Sequence, residues 1–265
     1  MNIITGELIQ ECADIYIGTP SDFAYNPRIA VQTDKHLLLS DLFDATTYNN
    51  PRIVFCYSSL VWPFSMISHK FENPFILITH NGDTNIENLQ YINSILNMPN
   101  LTKWYAQNVN YVHDKLVPLP IGIANRMWPH GEFSIIESEK THGIYMMFDI
   151  NTNPKVRYDC LDALRDKIPF LQFVPPVANQ LRLSRYKYCI CPEGNGLDTH
   201  RLWEAIYLRV VPILIRSTHV ELLQAEYRFP AILLDSWRDL DVDKLPAYES
   251  FTWETNLRLC DRFII

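Results

Sequence analysis

Between Gly194 and Glu204 the chain carries side chains spaced to hold an anion and a sugar ring. Gly194, Asn195 and Gly196 form a turn in which glycines permit positive φ and close approach of backbone to a ligand. Asp198 or Thr199 can cap the helix that follows, whose free amides would face a bound anion, and both are also candidate ligand contacts. Arg201 falls in the first helical turn, where a guanidinium can grip a phosphate in two places. Glu204 lies three residues on, shares that face, and suits ribose hydroxyls. The competing reading is a simple ion pair between Arg201 and Glu204. By spacing alone the pattern fits any nucleotide or phosphate pocket, because the P-loop and dinucleotide fingerprints are both absent. A second polar loop, Asp149–Arg157, follows a strand and opens a helix. Its Asn153, Lys155 and Arg157 could neutralise a diphosphate, or form a solvated basic loop.

These loops need strands and helices to place them. At 265 residues, 48% hydrophobic and 20% charged, the chain can build a core and is not disordered. The second half alternates strand and helix: strands at Ile144–Phe148, Phe170–Val174, Tyr188–Cys191, Val211–Ile215 and Ala231–Leu234, with helices at Val156–Asp166, Asn179–Arg185, Thr199–Leu208 and His219–Ala225. In the first half, strands are expected at Ile53–Tyr57, Phe75–Thr79, Lys103–Ala106 and Val117–Pro120, with a helix over Ile86–Leu96. Near-continuous apolar strands alternating with helices imply parallel sheets covered on both faces. The fold class is α/β, with two Rossmann-like domains whose parallel sheets face a cleft. The expected organisation is an N-terminal domain over 1–128 and a C-terminal domain over 129–247. Arg126–Thr141 would be the connection, and a helix within 248–265 would pack back on the first domain.

A net charge of −7 argues against nucleic acid or an anionic membrane as partner. Six scattered cysteines lack metal-type pairing and read as reduced thiols. The N-terminus lacks the basic region of a secretory signal, and no apolar run reaches the roughly 18 residues of a membrane span. A cytoplasmic location is expected, the host cytoplasm if the chain is viral.

Pro192–Pro212 (PEGNGLDTHRLWEAIYLRVVP), led in by Leu183–Tyr188 (LSRYKY), resembles the signature of exostosin-type glycosyltransferases, a family-47-like group. The likeness is dense over about 25 residues and thin elsewhere; short blocks similar to Trp104–Asn108 (WYAQN) and Pro118–Gly122 (PLPIG) occur in exostosin-like proteins of microbes and large viruses. It implies the two-domain GT-B architecture, with a nucleotide sugar, by default a UDP-sugar, in the C-terminal domain. Arg201 would contact the diphosphate and Glu204 the ribose. The acceptor would be a glycan or glycoprotein hydroxyl. No cofactor and no bound metal are implied, since such enzymes manage the diphosphate with a helix dipole and basic side chains. One departure is Arg209, where a glycine or small residue is common.

Inverting transfer needs a base for the acceptor hydroxyl. Phe75–Asn85 ends a strand in a polar loop, and Asp83 is the expected base, with His80 as alternative. Asp83 capping the next helix is the plainer reading. Asn81, Trp104, Gln107 and Asn108 are candidate acceptor contacts, or ordinary strand ends. Asp239, Asp241 and Asp243 have metal-type spacing but sit in a charged loop. Arg201→Ala is expected to abolish transfer while leaving the fold intact. The alternative function is a nucleotide- or glycan-binding module without catalysis.

Overall fold

The computed structural model describes residues 3–44 and 51–255. The chain forms two compact units and passes from the first to the second between Ile121 and Gly122. Residues 126–141, expected to connect the domains, therefore lie inside the second unit.

The first unit holds strands β1 (Ile15–Gly18), β2 (His36–Leu38), β3 (Ile53–Tyr57), β4 (Phe75–His80), β5 (Leu101–Ala106) and β6 (Leu116–Pro118). They pair in the order β2-β1-β3-β4-β5-β6, every pair parallel. Strand β4 is buried along its whole length, as a central strand covered on both faces must be. Strands β1 and β2 were not anticipated. At four and three residues they are too short to carry a period of their own, and they exist through pairing with β3 and with each other.

The helix expected from Ile86 begins at Gln90. Ile86 instead forms an isolated parallel bridge with Val109. Its amide donates to the Asn108 carbonyl at 2.9 Å, and its carbonyl accepts from the Asn110 amide at 2.8 Å. Those bonds hold Ile86 extended while burying its side chain, so Asp83 has no helix to cap.

The second unit holds β7 (His142–Tyr145), β8 (Tyr186–Ile190), β9 (Val211–Ile215) and β10 (Ile232–Leu234), all parallel, in the order β10-β9-β8-β7. Helices Pro154–Leu164 and Pro176–Leu183 link β7 to β8. Helix His200–Tyr207 links β8 to β9, and Thr218–Tyr227 links β9 to β10. One face of the sheet, through Tyr188, Ile190, Val211 and Ile213, packs on Cys160 and Leu164 of the first of these helices and on Trp237 and Leu240.

Phe170–Val174 is not a strand. It makes one backbone bond toward the β7 edge, from the Leu171 amide to the Met146 carbonyl at 2.9 Å. Pro169, Pro175 and Pro176 bracket it and limit its donors, and Phe173 is 62% exposed. Within the expected C-terminal helix, Tyr248–Ser250 is one 3-10 turn, and residues 251–255 take no regular form. Tyr248, Phe251 and Trp253 pack on the core of the second unit. The rest of that expectation, beyond Thr255, lies outside the described residues.

The close of helix His200–Tyr207 puts Arg209 in a conformation that glycine adopts most readily. The Arg209 amide donates to Ile206 at 3.0 Å and the Val210 amide to Ala205 at 2.8 Å. That pair of bonds requires a left-handed residue between them, and Arg209 has φ 53°. A side chain in that conformation costs about 1 kcal/mol or more, which glycine avoids. Arg209→Gly is therefore expected to stabilise the protein by about 1 kcal/mol, read as a higher urea midpoint. The change also removes a positive charge near Lys140, whose ammonium is pushed down to about 8 by burial and then by Arg209. An unchanged or lower midpoint would show that the arginine side chain contributes more than its backbone costs.

Candidate functional site

The loop after β8 and the first turn of helix Pro154–Leu164 are locked together. Asn153 caps that helix through the Val156 amide at 3.4 Å, and its Nδ2 donates to the Gly194 carbonyl at 2.7 Å. Arg157 donates from Nε to the Glu193 carbonyl at 2.9 Å and from Nη1 to the Asp149 carbonyl at 2.5 Å. A Cβ on Gly194 would lie 3.2 Å from Arg157 Nη2. Close packing, not positive φ, is thus what calls for glycine here; neither Gly194 nor Gly196 has positive φ. Asn195 is exposed at the tip and Gly196 is buried.

Asp198 is buried. Its carboxylate accepts from the Thr199 amide at 2.8 Å and from the Trp203 indole at 2.8 and 2.9 Å. It therefore closes the front of helix His200–Tyr207, and Thr199 is the N-cap without a side-chain cap bond.

Arg201 and Glu204 are paired with each other. Arg201 Nε meets Glu204 Oε2 at 2.9 Å, with the two side chains 17% and 10% exposed. Arg201 Nη1 also donates to the Met147 carbonyl at 2.5 Å, and the guanidinium stacks over the Tyr145 ring at 5.4 Å. Burial alone would lower the pKa of Arg201, but the Glu204 carboxylate, together with Cys189 and Tyr145, holds the pKa above its ordinary value. For Arg157, burial and then the charge of Arg201 lower it. The ion-pair reading therefore describes the local geometry, with the difference that the pair is nearly buried. The expectation that Arg201→Ala spares the fold does not fit this arrangement.

A cavity of about 590 Å³ opens at the carboxyl ends of β8, β9 and β10. Ligands in open parallel sheets bind at such edges. Three helix starts border it, through Lys155 and Val156, Thr199 and Leu202, and His219 and Val220. The remaining wall includes Glu193, Leu197, Leu214, Asp235 and Trp237. Of its three carboxylates, Asp159 pairs with Arg238 at 3.3 Å and Asp235 with Arg216 at 3.2 Å. Glu193 has no side-chain partner among the described residues, and burial raises its pKa. Lys155 is exposed on the wall and has no partner among the described residues. Of the sequence candidates, Lys155 and Thr199 line this cavity; Arg157, Arg201 and Glu204 do not. Sequence reading gave no role to Glu193, Asp235 or Trp237. The usable signal for Asp235 was its position just past an apolar strand.

In the first unit, the expected base and acceptor residues separate into buried and exposed groups. His80 is 1% exposed, with Nε2 3.0 Å from the Pro120 carbonyl and Nδ1 3.1 Å from Asn81 Oδ1. Asn81 takes φ 59° and donates to Gln10 Oε1 at 2.9 Å. Trp104 is a core residue whose indole donates to Thr79 Oγ1 at 2.9 Å. Gln107 and Asn108 are buried strand-end residues, the latter at φ 54°. Asp83 is exposed at the carboxyl end of β4 and makes no hydrogen bond among the described residues. Asp241, of the metal-type spacing, instead caps a 3-10 turn and pairs with Lys244 at 2.7 Å.

No protein-family model matches the chain, and no curated protein does. A solved structure described as the spinosyn rhamnosyltransferase SpnG aligns over 87% of this chain and 68% of its own. The identity is 12% and the TM-score 0.37. A likeness that loose carries no assignment; the two parallel sheets rest on their own strand pairing. No helix among the described residues is long and apolar enough to cross a membrane.

Proposed function

We propose that the chain is a glycosyltransferase that moves a sugar from a nucleoside diphosphate sugar to a glycan hydroxyl. The observation that carries this reading is the cavity at the carboxyl ends of β8–β10, bordered by three helix starts and an unpartnered Lys155. Helix starts and a free ammonium favour phosphate oxygens. The likeness of Pro192–Pro212 to the exostosin-type signature adds the sugar to the phosphate.

Lys155 is the group assigned to the diphosphate. Arg157 and Arg201 are committed to carbonyls and to Glu204, so they hold the loop that shapes the cavity. In the reaction, the acceptor oxygen bonds to the anomeric carbon as the bond from that carbon to the diphosphate breaks. Lys155 offsets the charge gathering on the departing diphosphate. A single displacement of this kind inverts the anomeric carbon, and Asp83 is proposed as the base that takes the acceptor proton. His80, with both ring nitrogens engaged, holds the loop that carries Asp83 and is not assigned proton transfer. No step calls for a metal.

Lys155→Met is expected to weaken nucleoside diphosphate binding roughly tenfold to a hundredfold, the size of one charge-assisted hydrogen bond. Calorimetry with the free diphosphates reads this directly. Equal affinity in the variant would remove Lys155 from the phosphate site. Donor binding by the wild-type protein without transfer to any glycan would favour a binding module.

A further inference from the structure

Resting on the reading that this cavity holds the donor, we propose that it selects guanine as the donor base, with Glu193 as the reader. Two charged groups on the wall lack protein partners among the described residues, the Lys155 ammonium and the Glu193 carboxylate. A ligand that satisfies both needs an anionic end and an edge of hydrogen-bond donors. Asp159 and Asp235 are already paired, and His219 and the buried Cys191 are the other titratable groups on the wall.

An ionised carboxylate only accepts hydrogen bonds. Among the common bases, guanine presents two adjacent donors on one edge, the ring N1–H and the exocyclic amino group. A carboxylate meets both in parallel, the geometry that makes two-pronged pairs strong. Uracil presents one N–H flanked by two carbonyl oxygens, which a carboxylate repels. Adenine and cytosine present one amino group beside a ring acceptor. The other walls suit a flat heteroaromatic ring: Leu197, Leu202, Leu214, Val220 and Trp237.

The reader is also held in place. The Glu193 carbonyl is fixed by Arg157 Nε at 2.9 Å, and the neighbouring Gly194 carbonyl by Asn153 Nδ2 at 2.7 Å. Two separate residues thus anchor the backbone on which the carboxylate sits, so little ordering remains when a base arrives. Burial raises the pKa of Glu193, a penalty on the carboxylate that two donors from the base would offset. A guanosine diphosphate sugar departs from the uridine default that the signature implies.

The test is calorimetric binding of GDP, inosine diphosphate, UDP and ADP to the wild-type chain and to Glu193→Gln. The wild-type protein is expected to bind GDP at least tenfold more tightly than the other three. Inosine diphosphate isolates the amino group, since it keeps N1–H alone. Glu193→Gln is expected to lose that preference while its melting temperature stays within about a degree of wild type, because the side chain has no protein partner. Binding of UDP as tight as GDP, or a GDP preference unchanged in Glu193→Gln, overturns the guanine assignment and leaves the nucleotide site standing. Binding of none of the four overturns the site itself and this assignment with it.

Discussion

Arg201→Ala is expected to lower the free energy of unfolding by about 3–5 kcal/mol, the cost of breaking a buried pair by removing one partner. The variant leaves the Glu204 carboxylate 10% exposed without its cation, and the Met147 carbonyl without its donor. Urea denaturation reads the loss, because both proteins expose nearly the same surface and the midpoint moves at constant slope. Adding Glu204→Gln should restore part of it, since the orphaned charge is then gone. A double-mutant cycle over the two positions is expected to give a coupling of about 0.5–3 kcal/mol. An Arg201→Ala variant with an unshifted midpoint would overturn the strut role and return the guanidinium to ligand contact. This expectation replaces the one drawn from the signature, in which the substitution was to remove activity and leave the fold untouched. A loss of transfer in Arg201→Ala is therefore informative only beside a stability measurement.

Asp83→Asn is expected to reduce kcat by about 10²–10⁴-fold, the usual contribution of a positioned general base. Donor affinity and the unfolding midpoint should both stay put, because Asp83 is exposed and bonded to nothing among the described residues. That combination separates it from His80. His80→Gln disturbs a buried network that links the Pro120 carbonyl, Asn81, Gln10 and Tyr57, so its first effect should be on stability. Full kcat in Asp83→Asn, measured at saturating donor and acceptor, would remove the carboxylate from proton transfer. Transfer with retention of anomeric configuration would also count against it, since a base-assisted single displacement inverts.

The parts legible in the sequence were those with local periods. Apolar runs at β3, β4, β5, β8 and β9 are long enough to announce strands, and each was found close to its observed bounds. Helix His200–Tyr207 was found through its cap residues and the apolar stripe at Leu202, Ala205 and Ile206. The misses have a common cause. Strands β1 and β2 are held by neighbours distant in sequence, and Phe170–Val174 has strand composition with no partner strand to complete it. Ile86 has a helical spacing that lost to two backbone bonds from the β5–β6 connection.

For the candidate site, the sequence by itself marked a place: a strand, a glycine-bearing turn and a helix, with polar groups at the carboxyl edge of a parallel sheet. It also determined which residue types gather there. Only the tertiary structure decided which of them are occupied. Arg157, Arg201, Asp198 and Glu204 read as ligand groups because their spacing lets them reach a ligand, but spacing says nothing of nearer partners. In the fold, carbonyls of Asp149, Met147 and Glu193, the Trp203 indole, and the Arg201–Glu204 pair itself take up those groups. Such partners come from segments up to dozens of residues away, and a buried charge must be satisfied by whatever the packing brings near it. What remains unsatisfied on the cavity wall, Lys155 and Glu193, follows from that same competition for partners.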